Sequence, residues 1–146
     1  MPIKYDKTVS GPLVVPSTHR DLLDGAVVVG LITVMPDGQP QATPVWADYD
    51  GTYVRVNTAR GRQKEKNMKL GAKVTILAID PQNADRWLEI RGQIAVETED
   101  GAVEHINSLS AKYGGDPDFF STKEDQRGIE IRVTYKIEPT RINTNA

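Results

Sequence analysis

The sequence predicts a mainly β protein, a small antiparallel barrel of six strands with a few short helices. Apolar and β-branched residues alternate, or run continuously, over segments of strand length along most of the chain. Asp50-Gly51, between two such segments, is a strong signal for a tight β-hairpin. Only two longer segments show helical periodicity. A chain of 146 residues forms one domain and is long enough to bury a core.

Two residues within the predicted strands indicate irregular pairing. Pro44 removes a backbone donor, so its strand is expected at an edge, at a bulge or with exposed backbone. Gly92 indicates a bulge or a bend that lets a sheet curl. In the last strand, Ile129, Ile131, Val133, Tyr135 and Ile137 are expected to face one way. The six strands are predicted over residues 26–34, 41–49, 52–58, 73–80, 87–98 and 128–140.

Residues 1–16 are predicted to be an extended N-terminal arm, and residues 17–146 a single domain. A short helix is expected before Gly25, with Ser17 or Thr18 as its N-cap. A second helix is expected from about Gly61 to Gly71. A third is predicted over residues 100–113, with its apolar side formed by Val103, Ile106, Leu109 and Tyr113.

Composition excludes several classes of protein. The chain has no cysteine, which rules out disulfides, thiol nucleophiles and thiolate metal sites. No apolar run approaches the roughly 18 residues of a membrane span, so no membrane partner is expected. The first six residues lack the apolar core of a secretory signal, and a cytoplasmic location is the expectation.

A basic cluster follows the third predicted strand. Residues 55–73 contain seven Lys or Arg and one acidic residue, whereas the whole chain has a net charge of −2. Unpaired amide groups and the dipole at a helix start attract phosphates and carboxylates, so the cluster indicates a fixed anion site. A solvated charged helix is the alternative. The acidic balance of the remaining sequence disfavours a nucleic-acid partner.

Side-chain catalysis and metal binding are not indicated. His19 and His105 lie in predicted helices without a second His or an acid at ligand spacing, so both are expected to be surface or capping residues. Neither a catalytic residue nor a metal site is predicted. If the protein is an enzyme, a bound cofactor is expected to supply the chemistry.

Four segments together resemble one family. They are the stretch Gly38–Trp46, the Asp-Gly hairpin, the spacing Asn57-Thr58-x5-Lys64-x2-Asn67-Met68 and the closing segment 137–142. In their order and spacing they resemble the split-barrel flavin and deazaflavin oxidoreductases, the superfamily that contains pyridoxamine 5′-phosphate oxidase. The resemblance extends from about residue 18 to residue 142. It implies a six-stranded split β-barrel, a homodimer, and cofactor sites at the subunit interface.

The resemblance also assigns roles to individual residues. It implies that Thr43, Pro44, Val45 and Trp46 lie along the cofactor ring, and that Trp87 reaches the site from the second subunit. Core packing is the alternative for both tryptophans. Asn67 and Met68 are expected to join the second helix to the barrel. The resemblance implies phosphate binding by Asn57, Thr58, Arg60, Arg62 and Lys64.

Within the superfamily, the branch that uses the deazaflavin F420 is the better match. The vitamin B6 oxidases usually have adjacent Arg-Lys and an Arg-rich tail, where this chain has Arg62-x-Lys64 and ends Arg141-Ile-Asn-Thr-Asn-Ala. Lys66 and Lys69 are candidates to contact the acidic tail of F420. The resemblance therefore implies hydride transfer from reduced F420 to a small unsaturated substrate, whose pocket is expected in loops 81–86 and 114–123. FMN in an oxidase or flavin reductase, or a non-catalytic cofactor-binding protein, is the alternative.

Overall fold

The computed structural model describes residues 3–6 and 13–145, with side chains from residue 13 onward. The described residues form eight β-strands, three α-helices and a short 3-10 turn over Glu124–Gln126. The strands are β1 (Ile3–Asp6), β2 (Val29–Val34), β3 (Pro40–Val45), β4 (Ala47–Tyr49), β5 (Val54–Ala59), β6 (Lys73–Ile79), β7 (Trp87–Thr98) and β8 (Arg132–Asn145). The helices are α1 (Asp21–Asp24), α2 (Gln63–Asn67) and α3 (Ala102–Lys112).

The strands form one antiparallel sheet in the order β3-β2-β6-β7-β8-β5-β4, and β1 pairs with β8 outside this path. The two edge strands, β3 and β4, are separated in sequence by Trp46 alone. The sheet must therefore curl until its two edges meet at Trp46, although β3 pairs with β2 and β4 pairs with β5. This arrangement confirms the predicted mainly β antiparallel split barrel with short helices.

The predicted count of six strands is wrong, for two reasons. The segment predicted as one strand over 41–49 is divided at Trp46, so that its halves pair at opposite edges of the sheet. Part of the predicted N-terminal arm, Ile3–Asp6, is a strand paired with Ile142 and its neighbours in β8. The other residues of the arm before residue 13 lie outside the described residues.

The long pair β7–β8 is the centre of the sheet, and its register shifts next to Gly92 as the sequence predicted. A Cβ at Gly92 would lie 2.4 Å from the carbonyl oxygen of Glu138 and 2.7 Å from Cγ2 of Ile137. Glycine therefore permits the close approach of two backbones where the sheet bends. The prediction that Pro44 lies in an edge strand is also confirmed, because β3 has one neighbour.

Apolar side chains from every central strand fill the barrel. Burial of each such side chain contributes about 1.5–3 kcal/mol to folding, which makes this cluster the main source of stability. The largest fully buried ones include Leu31, Met68, Ile76, Leu88, Ile90, Tyr135, Ile137 and Ile142.

The structure corrects several details of the predicted helices and of the last strand. α1 begins at Asp21 with Arg20 at the N-cap position, because the hydroxyl of Thr18 contacts Nδ1 of His19 at 2.8 Å and is not used as a cap. Ile106 and Leu109 of α3 are buried as expected, but Val103 is 43% exposed. β8 begins only at Arg132, so Ile129 and Ile131 precede it and are exposed.

No helix within residues 3–6 and 13–145 is both long and apolar enough to span a bilayer.

Candidate functional site

A cavity of about 340 Å³ opens where β3, β5 and α3 meet the turn before α2 and the segment before β8. One side of it is apolar and the other is basic. The apolar lining residues are Val28, Pro44, Val45, Trp46, Ile106, Leu109 and Phe119, and the polar ones are Asn57, Arg62, Lys64, Lys123 and Arg132. The structure thus brings together six residues that the sequence placed at the cofactor: Pro44, Val45, Trp46, Asn57, Arg62 and Lys64.

The apolar side has a rigid aromatic corner. The ring of Trp46 stacks on Tyr113, with centroids 5.3 Å apart, and meets the ring of Phe119 edge-on at 6.3 Å. The hydroxyl of Tyr113 donates to the carbonyl oxygen of Val27 at 2.6 Å and accepts from the amide of Ala47 at 3.1 Å. These bonds fix Tyr113, which in turn fixes the indole of Trp46 beside the cavity. A flat ligand would find a preformed surface here.

The basic side contains a lysine that has no anionic partner. Within residues 13–145, Lys64 forms no ion pair and no hydrogen bond through its ammonium group, although it is half-buried. Partial burial and the positive charges of Arg62 and Arg132 lower the pKa of Lys64. Arg62 is paired only weakly, at 3.4 Å from Glu130. This end of the cavity would therefore gain most from an anion.

Arg132, which the sequence analysis missed, is the most buried of the cavity's cations. Its side chain is only 3% exposed, and it donates through Nη1 to Glu130 and through Nε to Oδ1 of Asn57, both at 2.9 Å. Burial lowers the pKa of Arg132, while the carboxylate of Glu130 acts against this shift. Arg132 lies in a segment whose apolar residues alternate with polar ones. In this alternation Arg132 belongs to the polar face, opposite Val133, but both faces of β8 are buried at this end.

Asn57 supports Arg132 through a buried polar network. Its Nδ2 donates to the carbonyl oxygen of Ala102 at 2.9 Å and lies 3.3 Å from Nδ1 of His105. The other ring nitrogen of His105 lies 3.2 Å from Asp48. With its proton on Nε2, His105 donates to Asp48 and accepts at Nδ1. The network thus fixes the amide of Asn57 so that its oxygen faces Arg132.

The prediction that both histidines are surface or capping residues is wrong. His105 is 5% exposed and His19 is 3% exposed. Nε2 of His19 lies 2.9 Å from the carbonyl oxygen of Asn145, and this contact joins the segment before α1 to the end of β8. Both rings can be buried because their nitrogens have hydrogen-bond partners, and at least one partner of each ring is distant in sequence and cannot be identified from local spacing.

Arg60 lies outside the cavity and is neutralised by carboxylates. It forms ion pairs with Glu65 at 2.9 Å, Glu97 at 2.5 Å and Glu99 at 3.0 Å. Glu97 first, and then the other two, raise the pKa of Arg60. A second oxygen of Glu65 accepts the amide of Gly61 at 3.2 Å. Arg60 therefore fixes the turn that carries Arg62 and Lys64, and its own charge is already satisfied.

The sequence as a whole matches a known family along nearly its entire length. A family model described as pyridoxamine 5′-phosphate oxidase matches residues 15–146. The chain belongs to the pyridoxamine 5′-phosphate oxidase family. No curated protein matches the sequence.

Solved structures of similar proteins support membership of this family. An F420 reductase is 30% identical with a TM-score of 0.74, and the match covers 88% of this chain and 98% of that chain. A conserved hypothetical protein, Rv2991 from Mycobacterium tuberculosis, is 24% identical with a TM-score of 0.69, covering 90% of this chain and 86% of that one. The FAD and heme binding protein from Mycobacterium smegmatis is 14% identical with a TM-score of 0.63, covering 90% and 71%. The last two similarities concern the fold alone.

The other residues that the resemblance to the pyridoxamine 5′-phosphate oxidase family assigned to the site are not among those that line the cavity. Met68 is fully buried in the barrel core, and Nδ2 of Asn67 donates to Oγ1 of Thr33 at 3.0 Å, so the two residues join α2 to the barrel. Thr43 lines a neighbouring shallow cleft of about 290 Å³. Thr58 follows Asn57 in β5, is buried, and is not among the cavity residues. Trp87 begins β7, opposite Ile79 and Asn145, and is not among the cavity residues of this chain.

Proposed function

We propose that this protein is an oxidoreductase that binds the deazaflavin F420 in the cavity and uses its reduced form to reduce a small unsaturated substrate. The main support is that one cavity combines a flat aromatic side with a basic end, where the half-buried Lys64 has no partner among residues 13–145. The 30% identity with an F420 reductase, over 98% of that chain, also supports the proposal.

The residues of the cavity fit such a cofactor in both shape and charge. A planar ring system would lie against Pro44, Val45 and Trp46, where the edge strand β3 ends. A phosphate would be held by Arg62 and Lys64, since charge-assisted hydrogen bonds to phosphate are among the strongest in proteins. The cavity volume of about 340 Å³ lies within the range of small-molecule sites.

The protein's contribution would be binding and orientation. Bound in reduced form, F420 supplies a hydride, and a proton from solvent completes the reduction of an electron-poor double bond. The aromatic corner of Trp46 and Phe119 excludes water from one side of the cavity. The basic end holds the charged part of the cofactor, which sets the position of its ring. None of the cavity side chains need act as a nucleophile.

A comparative titration tests the proposal. The cofactor-free protein is titrated with F420 and, in parallel, with FMN, and both dissociation constants are measured. Tight F420 binding, followed by oxidation of reduced F420 in the presence of electron-poor enones or quinones, is the expected result. Tight FMN binding without F420 binding would refute it.

FMN is the second candidate, and the number of cations near Lys64 favours it. Besides burial, the charges of Arg62 and Arg132 lower the pKa of Lys64, and the charge of Arg62 also lowers the pKa of the buried Arg132. Three cations suit the doubly charged phosphate monoester of FMN at least as well as a singly charged diester. The same titration distinguishes the two cofactors.

We propose in addition that the protein functions as a homodimer. Ile32 and Val34 of β2, together with Pro40 and Val74, line an open groove of about 490 Å³ on the outside of the sheet. The continuous apolar run over residues 26–34 is typical of a strand buried on both faces, but β2 is buried on only one face in the single chain, and Val34 is 46% exposed. A second subunit would cover this face.

The dimer can be tested by sedimentation velocity. The parent protein should have the mass of a dimer, and Val34→Glu should shift it toward the monomer. A monomeric parent protein at micromolar concentration would contradict this proposal.

A further inference from the structure

We propose that the substrate is a planar, conjugated carboxylate, and that Lys123 and Arg132 bind its carboxylate group. This inference deepens the proposed function and rests on it, because it names the class of molecule that the F420-bound protein reduces. Both residues line the cavity. The sequence analysis assigned neither of them an individual role, although Lys123 ends the loop 114–123 in which the substrate pocket was expected.

Lys123 and Arg132 are brought together by Phe119. Nζ of Lys123 lies 4.3 Å from the centroid of the Phe119 ring, and Cζ of Arg132 lies 5.0 Å from the same centroid. The ring holds both cations at the edge of the aromatic corner that Phe119 forms with Trp46. A flat conjugated molecule lying in that corner would direct a carboxylate at one of its ends toward the two cations.

Both cations retain unused donors. Arg132 uses Nε and Nη1, which leaves its Nη2 group without a hydrogen bond to any residue in 13–145. Lys123 forms no ion pair with any residue of that range. The orientation of the guanidinium is fixed by Asn57 and Glu130, so a carboxylate would meet a donor that loses little further entropy.

The segment that carries Phe119 and Lys123 is held in place by its own contacts. The amide of Phe119 donates to Oδ1 of Asn107 in α3 at 2.9 Å. Arg127 bridges Asp118 and Glu124, each at 2.6 Å, and so closes the loop on both sides of Lys123. Lys123 is therefore presented by an ordered loop next to the cavity.

Charge balance requires a second anion. Four cations line the described part of the cavity, and the only carboxylate paired with them in residues 13–145 is Glu130, which contacts Arg62 and Arg132. A phosphate diester at Arg62 and Lys64 would contribute one negative charge. Net positive charge would then remain on the side of Lys123 and Arg132, where it favours a carboxylate. The carboxylate could belong to the substrate, as proposed, or to the acidic tail of the cofactor, and the experiment separates these two sources.

The test uses two probes of matched shape, trans-cinnamate and the neutral trans-cinnamamide. Binding of each is measured by isothermal titration calorimetry on the F420-loaded and on the cofactor-free protein. The variants are Lys123→Gln and Arg132→Gln, and Lys136→Gln is the matched control, a partly exposed lysine of β8 that lines neither the cavity nor the groove on the outside of the sheet. Because Arg132 is buried and its variant could misfold, the exposed Lys123 carries the test by itself.

We expect cinnamate to bind at least about tenfold more tightly than cinnamamide, as one charge-assisted hydrogen bond provides. Lys123→Gln should remove most of this preference and Lys136→Gln none of it. Equal affinities for the two probes in the parent protein would overturn the inference. Variants that weaken F420 binding but leave the cinnamate preference intact would also overturn it, since the cations would then serve the cofactor's tail. A preserved cinnamate preference in a protein that does not bind F420 would support the carboxylate site and refute the proposed cofactor.

Discussion

Replacement of Lys64 by glutamine should weaken cofactor binding without reducing the stability of the protein. Lys64 is unpaired within residues 13–145, and its partial burial together with two neighbouring cations lowers its pKa. Loss of one charge-assisted hydrogen bond to the phosphate should weaken F420 binding by roughly 1.5–3 kcal/mol, or about 10- to 150-fold. The free protein should lose no stability, because the substitution also removes repulsion with Arg62 and Arg132.

Replacement of Arg60, in the same basic segment, should have the opposite effect and reduce stability more than cofactor binding. Its three carboxylate partners lie outside the cavity, so Arg60→Gln should mainly reduce stability, at about 0.2–1 kcal/mol for each partly exposed ion pair. F420 affinity is measured by fluorescence titration and stability by chemical denaturation, with Lys136→Gln as a control outside both the basic segment and the cavity. If Arg60→Gln reduces affinity more than Lys64→Gln does, the assignment of the basic cavity to the phosphate is refuted.

Two further predictions concern the barrel itself. Burial alone would raise the pKa of Asp48, but hydrogen bonds from His105 and a neighbouring arginine lower it to about 2 from an ordinary value of 3.8. A carboxylate with a depressed pKa stabilises the fold above its unfolded pKa, so about 1–2 kcal/mol should be lost as pH falls from 4 to 2. Asp48→Asn should remove that part of the acid dependence in denaturation curves; an unchanged acid dependence would contradict the assignment. Gly92→Ala should destabilise the fold by about 1–3 kcal/mol, because its Cβ would lie 2.4 Å from a carbonyl oxygen of Glu138. Gly30→Ala, whose Cβ would meet nothing closer than 3.8 Å, is the matched control, and an equal cost for both would contradict the argument.

The features that could be predicted from sequence are those decided by local patterns. β7 has the predicted limits, 87–98, because alternation over twelve residues is long and is ended by charged turns. The bulge at Gly92 was predictable because a mid-strand glycine has few other uses. Asp50-Gly51 forms the expected turn between β4 and β5, and Gly51 has a φ of 95°.

The division of the 41–49 segment at Trp46 was not predictable from that segment alone. Alternation continues through it, so the pattern indicates one strand. The break arises because the amide of Ala47 donates to the hydroxyl of Tyr113, 66 residues away in sequence, while β4 pairs with β5. Tertiary contacts of this kind override a local period. The same break moves Trp46 out of the sheet and into the wall of the cavity.

The basic segment shows how far charge alone can identify a site. Seven cations in residues 55–73 indicated an anion site, but charge could not tell which of them were already neutralised. Arg60 is bound by carboxylates from α2 and from the end of β7. Arg132, by contrast, comes from outside the segment and enters the cavity only because β8 pairs with β5, which places it opposite Ala59. Which cations line this cavity therefore depends more on strand pairing than on proximity in sequence.

Asn57 illustrates the same dependence at a single residue. The resemblance placed it at the phosphate, and it does line the cavity, yet its amide group is engaged by Ala102, His105 and Arg132. Both the oxygen and the nitrogen of the amide already have hydrogen-bond partners. Asn57 would therefore promote anion binding indirectly, by holding the guanidinium of Arg132 in place. A substitution such as Asn57→Ala would therefore act on ligand binding through Arg132, and its effect should disappear in an Arg132→Gln background, as a double-mutant cycle would measure. If the two substitutions instead weakened binding independently, Asn57 would contact the ligand directly.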